Sequence, residues 1–366
     1  MTRMLLVRVL CLAACVAFVS GGTTVGASPI RQLTQTSASN LRPVWSPDGK
    51  RIAFQTNRDG PYHIYVMDAD GGNVRQLTSG DADDRHPTWS PDGKRIAVDS
   101  GSDIKRDIWV IDMASRARTQ LTRSGAITSF PSWSPDGTRI SYYVYRDGAM
   151  DIWTTEADGG NTVQLTRQLA SERNNQCTFA CHSPAWSPDG RQLAFSDGDH
   201  SRVLLMASAI GATPSPISPK DERSHFPVYL PDGRIVYVSE FVTPDISYTD
   251  LWSVDPRAGD LRTEVAKGVL AQGPFELSTD GSQLLFASPR SGNFEIYAVT
   301  LDDEGKAALA TRPDPVKPFD ATEPPTRRVA SVDPLRDPTV YVVGFAAIAL
   351  MLGGLALVSR ARRTRP

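Results

Sequence analysis

Apolar and polar residues alternate in short segments that return along the central part of the chain. Each segment carries an apolar pair separated by one residue: Ile52 and Phe54, Ile96 and Val98, Ile140 and Tyr142, Leu193 and Phe195, Ile235 and Tyr237, and Leu284 and Phe286. An alternation with a period of two predicts a β-strand with one buried face. The pattern therefore predicts an all-β protein.

A turn phrase precedes each of these strands. In its first copy it reads Pro-Val-Trp-Ser-Pro-Asp-Gly, at residues 43–49. Pro47 presets the backbone φ for a turn, the side chain of Asp48 caps the turn, and Gly49 takes the left-handed conformation of a tight hairpin. The first two strands of each repeat are thus predicted to form a hairpin.

The turn phrase returns at a nearly constant distance. Its aspartate stands at Asp48, Asp92, Asp136, Asp189, Asp232 and Asp280, with spacings of 44, 44, 53, 43 and 48 residues. A period of about 40 to 50 residues is typical of one four-stranded blade of a β-propeller. A third strand follows at Ile64 and Tyr65, and a short fourth strand reads Gln-Leu-Thr at residues 76–78. Residues 28–312 are therefore predicted to form a six-bladed β-propeller of four-stranded blades.

Two further features concern how the blades pack and close. A copy of the fourth-strand phrase, at residues 32–34, stands before the first full repeat. We expect it to complete the last blade, because a strand from the N-terminus closes the ring and leaves no sheet edge open. Large aromatic side chains that recur once per repeat are expected in the core between neighbouring sheets. They are Trp45, Trp89, Trp133 and Trp186.

The run from Pro43 to Thr78 resembles the TolB-type propeller repeat, whose signature is Pro-Trp-Ser-Pro-Asp-Gly. The resemblance extends from residue 30 to about residue 312. It implies a propeller whose loops surround the mouth of a central channel. We expect no counterpart in this chain of the separate N-terminal α/β domain of TolB itself.

Both ends of the chain are hydrophobic and are set apart from the propeller. Residues 1–27 have a basic start, an apolar run and a small-residue end, which is typical of a secretory signal peptide. Lipidation of Cys15 is the alternative, although the apolar run continues past it. Residues 339–358 carry no charge and are long enough for a transmembrane helix, and the arginine-rich tail 359–366 predicts a cytoplasmic C-terminus. The prediction is a single-pass membrane protein with its propeller outside the cytoplasm and residues 313–338 as a proline-rich linker.

The charge balance argues against a nucleic-acid partner. The chain has 39 basic and 41 acidic side chains. Two of the basic ones lie in residues 1–27 and four in residues 339–366, and neither segment has an acid, so residues 28–338 carry a net charge of −8. Non-specific binding to nucleic acid depends on clustered lysine and arginine. We therefore expect no nucleic-acid partner.

The cysteines agree with export. Cys177 and Cys181 are the only pair after the predicted signal peptide. Two exported thiols close in sequence predict a local disulfide rather than a metal site, since a second pair of thiol ligands is missing. The sequence has neither the Gly-x-Ser-x-Gly elbow of hydrolases nor a glycine-rich phosphate loop.

Polar residues stand two positions before the proline that opens a blade, where the mouth of the channel is expected. They are His182, His225 and Gln272, and His86 lies one residue nearer its own proline. Oligogalacturonate lyases resemble this class of propeller and hold manganese with His and Gln at a channel mouth, and these ligands suit such a metal. The other interpretation is that they are ordinary polar loop residues. We expect no cofactor, with a divalent metal such as manganese or calcium as the alternative.

The sequence favours a binding module over an enzyme. A closed ring fixes its loops around one concave mouth, which suits a protein, a peptide or an envelope glycan as the partner. The alternative is a metal-dependent lyase or hydrolase with its site at the mouth. A further alternative is an envelope sensor, but only eight residues follow Val358 to form an output.

Overall fold

The computed structural model describes nine segments of the chain, and every regular element in them is a β-strand. The segments are residues 30–167, 169–171, 183–197, 202–219, 222–242, 247–258, 262–269, 275–289 and 291–300. They belong to one compact unit, Met1–Pro318. In these segments no helix is long and apolar enough to cross a membrane. The predicted signal peptide, linker, transmembrane helix and basic tail lie outside them.

The strands follow the sequence repeats. The first repeat is preceded by β1 (Arg31–Gln32) and contains β2 (Asn40–Trp45), β3 (Arg51–Thr56), β4 (His63–Asp68) and β5 (Arg75–Gln76). The second contains β6 (Asp83–Trp89), β7 (Arg95–Gly101), β8 (Arg106–Asp112) and β9 (Arg118–Gln120). The third contains β10 (Ile127–Trp133), β11 (Arg139–Arg146), β12 (Ala149–Glu156), β13 (Val163–Gln164) and β14 (Ala170–Ser171).

The last three repeats are described in shorter pieces. The fourth contains β15 (Ala185–Trp186), β16 (Gln192–Ser196), β17 (Val203–Ala207) and β18 (Ser215–Pro216). The fifth contains β19 (Arg223–Tyr229), β20 (Ile235–Val242), β21 (Ser247–Val254) and β22 (Arg262–Val269). The sixth contains β23 (Phe275–Leu277), β24 (Gln283–Ser288) and β25 (Glu295–Thr300).

The described strands form five sheets. Four of them are four-stranded blades, with the orders β2-β3-β4-β5, β15-β16-β17-β18, β19-β20-β21-β22 and β1-β25-β24-β23. The second and third repeats share the fifth sheet, which has nine strands. The prediction of six four-stranded blades is therefore wrong for the described part of the chain, which shows four.

The nine-stranded sheet arises where β8 meets β10. These two strands pair in parallel at Arg106 and Ile127. The N–H of Arg106 donates a hydrogen bond to the carbonyl oxygen of Ala126 at 3.2 Å. This contact joins two antiparallel groups of strands into one sheet, and no turn motif in the sequence signals it.

The hairpin turns have the predicted chemistry. Ser46 Oγ donates to Asp48 Oδ1 at 2.6 Å, and the N–H of Lys50 donates to the same oxygen at 3.1 Å. The bond from Ser46 is the largest of the causes that lower the pKa of Asp48. Gly49 has a φ of +66°, as a left-handed turn residue requires. The same serine-to-aspartate bond is present at Ser90 and Asp92, Ser134 and Asp136, Ser187 and Asp189, and Ser278 and Asp280.

The N-terminal strand completes the last sheet, as predicted, since β1 pairs antiparallel with β25. Thr34 Oγ1 donates to the Glu295 carboxylate. The same carboxylate accepts the N–H of Thr36 at 2.6 Å and Asn40 Nδ2 at 2.8 Å. Glu295 is only 2% exposed. Buried charge-assisted hydrogen bonds therefore hold the first and last described strands together.

Neighbouring sheets pack against both faces of the second strand of a repeat. In the first repeat, Ile52 and Phe54 lie in a core cluster with Trp45, whereas Ala53 lies in another cluster with Trp89. The prediction of a single buried face is therefore wrong. The reason is that the strand lies between two neighbouring sheets, and the residue between its large apolar side chains is small enough to be buried as well. The core position predicted for the four tryptophans is confirmed.

Arginines at the start of the second strands cover these tryptophans. The Arg51 guanidinium lies 4.7 Å from the ring centre of Trp89 in the following repeat. The corresponding distances in the next two repeats are 4.6 Å for Arg95 over Trp133 and 4.8 Å for Arg139 over Trp186. These cation–π contacts link consecutive repeats.

Candidate functional site

A cavity of about 330 Å³ lies where the first strands of all six repeats meet. One residue of each first strand lines it at the same level: Val44, Thr88, Ser132, Ala185, Val228 and Glu276. We call these six residues the waist ring. The hairpin register shows that they are equivalent. In the first repeat, Val44 directly precedes Trp45, and Trp45 pairs with Ile52, the first apolar residue of the second strand. The other five residues stand at the same place in their hairpins.

The residue just before the first-strand proline has an unusual backbone in four repeats. Arg42, His86, Phe130 and Phe226 have φ values between +51° and +60°. Each stands at a register shift of its hairpin, and such a bulge changes the direction of a side chain. A left-handed backbone costs a residue other than glycine about 1–3 kcal/mol, and such strain clusters at functional sites.

Three of these strained residues, Arg42, His86 and Phe130, line the cavity, and we call them the mouth residues. They precede the waist ring by two residues, which is roughly 7 Å along a strand. The Phe130 ring contacts the other two side chains. The rings of His86 and Phe130 have centres 3.9 Å apart, and the Arg42 guanidinium lies 5.3 Å from the Phe130 ring centre.

His86 is held in one orientation by a buried carboxylate. Its Nδ1 lies 2.5 Å from Asp99 Oδ2, and its backbone N–H donates to Gln55 Oε1 at 2.9 Å. Burial is the largest cause that lowers the pKa of His86 to about 4, although the nearby Asp99 opposes it. The imidazole is therefore neutral at pH 7. Its Nδ1–H donates to Asp99, which leaves Nε2 as a hydrogen-bond acceptor.

Asp99 is the centre of this buried network. It is completely buried and also accepts Arg106 Nη1 at 2.6 Å and the N–H of Phe130 at 3.1 Å. Burial alone would raise the pKa of Asp99, but His86 and Arg106 outweigh it and lower the pKa to about 2. The Asp99 carboxylate thus fixes two mouth residues. It holds the side chain of His86 and the backbone N–H of Phe130.

Arg42 supplies the positive charge at the mouth. Burial is the largest cause that lowers its pKa to about 10, and the Asp99 carboxylate opposes that shift. The guanidinium therefore stays charged at neutral pH. The mouth combines a cation, an imidazole acceptor and an aromatic face.

Glu276 is the one ionisable member of the waist ring. Its side chain is partly buried inside the cavity, and burial raises its pKa to about 8. No described residue forms a hydrogen bond or an ion pair with its carboxylate. At neutral pH most of this carboxyl is therefore protonated.

Replacing Glu276 with valine, which stands at the same level in the first and fifth repeats, is expected to stabilise the protein by roughly 1–3 kcal/mol at pH 7. In the folded chain the carboxyl keeps its proton up to about pH 8, whereas its ordinary pKa is 4.5. Between these values the unfolded chain releases a proton that the folded chain retains. The free energy of unfolding therefore falls as the pH rises through this range. Below this range the carboxyl is protonated in both the folded and the unfolded chain, so its ionisation does not affect stability there.

The measurement is urea unfolding of both proteins at pH 4 and at pH 7. We expect the gain to be larger at pH 7 than at pH 4. An equal gain at both pH values would mean that Glu276 is ionised in the folded chain and would contradict this assignment.

The residues predicted from sequence for the mouth are only partly brought together. His86 lines the cavity, whereas His225 is 2% exposed, is not part of the cavity wall, and packs its ring edge-on against Phe226 with centres 4.4 Å apart. Phe226, which stands directly before the proline and has the same left-handed backbone as His86, lies in a core cluster and is not part of the cavity wall either. The bulge alone therefore does not decide which side chains line the cavity. His182 and Gln272 lie outside the described segments, as do Cys177 and Cys181 of the predicted disulfide. In the described segments no three His, Cys, Asp or Glu side chains are placed to hold a metal ion.

Sequence reasoning missed Arg42, Asp99 and Glu276. Asp99 lies on a second strand, on the face opposite Ile96 and Val98, which alternation alone assigns to the surface. Glu276 could have been found by aligning the repeats, since the last one has Phe275 where the others have the opening proline. No sequence signal marks the positive φ of Arg42.

Comparison with known proteins supports the repeat assignment. Residues 23–98 and 83–181 match the family model described as the TolB beta propeller domain. No curated protein matches the chain in sequence.

Several solved structures have the same fold. A putative TolB from Agrobacterium tumefaciens is 20% identical with a TM-score of 0.55, over 75% of this chain and 98% of that chain. An oligogalacturonate lyase in complex with manganese is 17% identical with a TM-score of 0.53, over 77% of this chain and 96% of that one. TolB from Acinetobacter baumannii is 18% identical with a TM-score of 0.50, over 72% of this chain and 63% of that one.

Identities of this size show the fold alone, and a fold hosts many unrelated activities. The sequence match, however, covers complete copies of the turn phrase and of its strands. Residues 23–181 therefore carry TolB-type β-propeller repeats.

Proposed function

We propose that this protein is a binding module held outside the cytoplasm, and that its central cavity takes up part of a protein, a peptide or an envelope glycan. The observation that carries the proposal is the cavity of about 330 Å³ with its three strained mouth residues. The fourth repeat forms its four-stranded blade without a left-handed residue before its proline, which supports a role for the side chains of Arg42, His86 and Phe130 in addition to the fold. The location rests on the predicted signal peptide.

The mouth residues suit an extended polar ligand. The Arg42 guanidinium can donate hydrogen bonds to carbonyl, carboxylate or hydroxyl oxygens. The Nε2 atom of His86 can accept one hydrogen bond, and the face of Phe130 can pack against an apolar side chain or a sugar ring. Because Asp99 fixes His86 and the backbone of Phe130, the site is organised before the ligand arrives, which lowers the entropic cost of binding.

Binding without turnover is the function we favour. A histidine oriented by a carboxylate is one part of a catalytic set, but a nucleophile must lie within hydrogen-bond reach of it. Among the described residues no hydroxyl or thiol is hydrogen-bonded to His86 Nε2. This supports a role for His86 as a ligand contact.

The second candidate is a metal-dependent lyase or hydrolase. It is favoured by one observation, which is that the accessible Nε2 of His86 lies at the mouth of a fold shared with a manganese-bound lyase. Its test is metal analysis of the full chain together with an assay of oligogalacturonate cleavage in the presence of Mn²⁺. Stoichiometric metal that His86→Ala loses, with turnover by the unmodified protein, would replace the binding proposal.

Filling the cavity is expected to abolish ligand binding while the fold is kept. Ser132 belongs to the waist ring, and Ser132→Trp places a large ring across the cavity, whereas Ser132→Ala keeps it open. We expect the unmodified protein and Ser132→Ala to retain the same members of a peptide and oligosaccharide library. Ser132→Trp should retain them at least about tenfold more weakly, since blocking the buried centre of a binding site costs about 1–2 kcal/mol or more. Equal retention by Ser132→Trp would place the ligand site elsewhere.

A further inference from the structure

One member of the waist ring is ionisable, whereas the other five are not. Glu276 carries a carboxyl group, whereas the others are Val44, Thr88, Ser132, Ala185 and Val228. Five repeats therefore form this strand and this part of the cavity wall without an acid. The fold does not require an acid at residue 276.

The Glu276 carboxyl is also costly in the folded chain. Burial is the one cause of its raised pKa, and among the described residues no cation offsets the loss of water. A polar group taken from water without a hydrogen-bond partner lowers the stability of the fold. A perturbed carboxyl on a cavity wall, without a structural partner, is a candidate ligand contact.

Among the described residues, no cation of the neighbouring strands lies at the level of the waist ring. Three strands, β2, β19 and β24, pack against its strand β23. On β2, the Arg42 guanidinium lies over Phe130 and is attracted by Asp99. On β19, Arg223 is exposed and His225 is buried outside the cavity wall. Tyr229, also on β19, lines the cavity, and burial raises the pKa of its phenol, so it stays neutral. β24 has no titratable residue. Among the described residues the waist ring therefore has one acid and no base.

We propose that the waist ring binds a protonated amine, which the Glu276 carboxylate recognises through a charge-assisted hydrogen bond. An ammonium group has three N–H donors, one of which the carboxylate accepts, and the hydroxyls of Thr88 and Ser132 add polar groups to the same cavity wall. The net charge of −8 over residues 28–338 favours the approach of a cation. The inference rests on the proposed function, because it names the chemistry of a group that enters the central cavity.

Binding of an ammonium group is coupled to the loss of a proton from Glu276. Below about pH 8 the free protein holds this proton, and a neighbouring cation favours the ionised carboxylate. Affinity is therefore expected to rise about tenfold for each pH unit between pH 6 and pH 7 and to level off near pH 8. A surface carboxylate with an ordinary pKa near 4 is already ionised over this range and gives no such dependence.

The experiment is calorimetric titration of the full chain with two probes, n-butylamine and N-acetyl-lysine N-methylamide, at pH 6, 7 and 8. Titration in two buffers of different ionisation enthalpy gives the number of protons released. We expect release of about one proton at pH 6, and an affinity loss of about tenfold or more in Glu276→Gln and in Glu276→Val. The matched control is Asp103→Ala, which removes an exposed carboxylate and should bind as the unmodified protein does.

The outcomes separate this proposal from the one on which it rests. Tighter binding of the lysine derivative indicates a lysine side chain of a protein ligand, and equal or tighter binding of butylamine indicates a small amine; both support the proposal. Absence of binding, binding without pH dependence, or full binding by Glu276→Gln overturns it. If Ser132→Trp still abolishes retention of library ligands in that case, the proposed function stands and only the amine assignment fails.

Discussion

Replacing Asp99 with alanine is expected to destabilise the folded protein by about 3–5 kcal/mol, the usual cost of removing one partner of a buried ion pair. Asp99 is completely buried, and its loss leaves Arg106, itself 4% exposed, without its 2.6 Å partner. It also removes the acceptor of His86 Nδ1 and of the Phe130 N–H. Urea unfolding of the variant and the unmodified protein at pH 7 measures the effect.

Two variants show whether the loss comes from this network. Asp103→Ala removes a carboxylate that is 86% exposed and should change stability by no more than about 0.5 kcal/mol. Asp99→Asn keeps an acceptor for the backbone of Phe130 and should lose less than Asp99→Ala. A loss below about 1 kcal/mol in Asp99→Ala would contradict a structural role for the network.

Replacing Glu295 with alanine is expected to cost about 3 kcal/mol and to open the ring at its closure. The Glu295 carboxylate accepts hydrogen bonds from Thr34 Oγ1, the Thr36 N–H and Asn40 Nδ2. Each buried donor left without an acceptor costs about 1–3 kcal/mol. Since all three donors belong to the N-terminal segment, that segment should detach first.

Hydrogen exchange locates the effect of this change. The N–H of Leu33 donates to the carbonyl oxygen of Ile296 across the closure, so its exchange should accelerate in Glu295→Ala more than exchange in β3 does. Glu295→Gln keeps one carbonyl acceptor and should show a smaller acceleration. Uniform acceleration over all strands would show that Glu295 does not act through the closure.

The repeat could be predicted from sequence because its chemistry is local. Ser46, Asp48 and Gly49 lie within four residues and fix the hairpin turn whatever surrounds them. The closure by residues 32–34 was also predictable, since the phrase is the same as in the fourth strands of the first three repeats. The division into blades depends on one contact between distant strands, Arg106 with Ile127, and alternation within a strand carries no information about it.

The site was harder to predict because it depends on backbone conformation. Counting two residues back from the opening proline leads to His225, but the mouth residues Arg42, His86 and Phe130 stand directly before their prolines. The sequence position of His86 identifies it as a candidate, whereas its partner Asp99 comes from a strand thirteen residues further on. Glu276 becomes visible only when the hairpin register aligns it with Val44 and the other members of the waist ring.

The most direct test is a crystal structure of the full chain bound to a ligand that the unmodified protein retains and Ser132→Trp does not. We expect the ligand inside the central cavity, in contact with Arg42, His86 or Phe130 at the mouth and reaching the waist ring. A ligand bound on the outer strands or loops, with the cavity empty, would contradict the assignment of this cavity as the binding site.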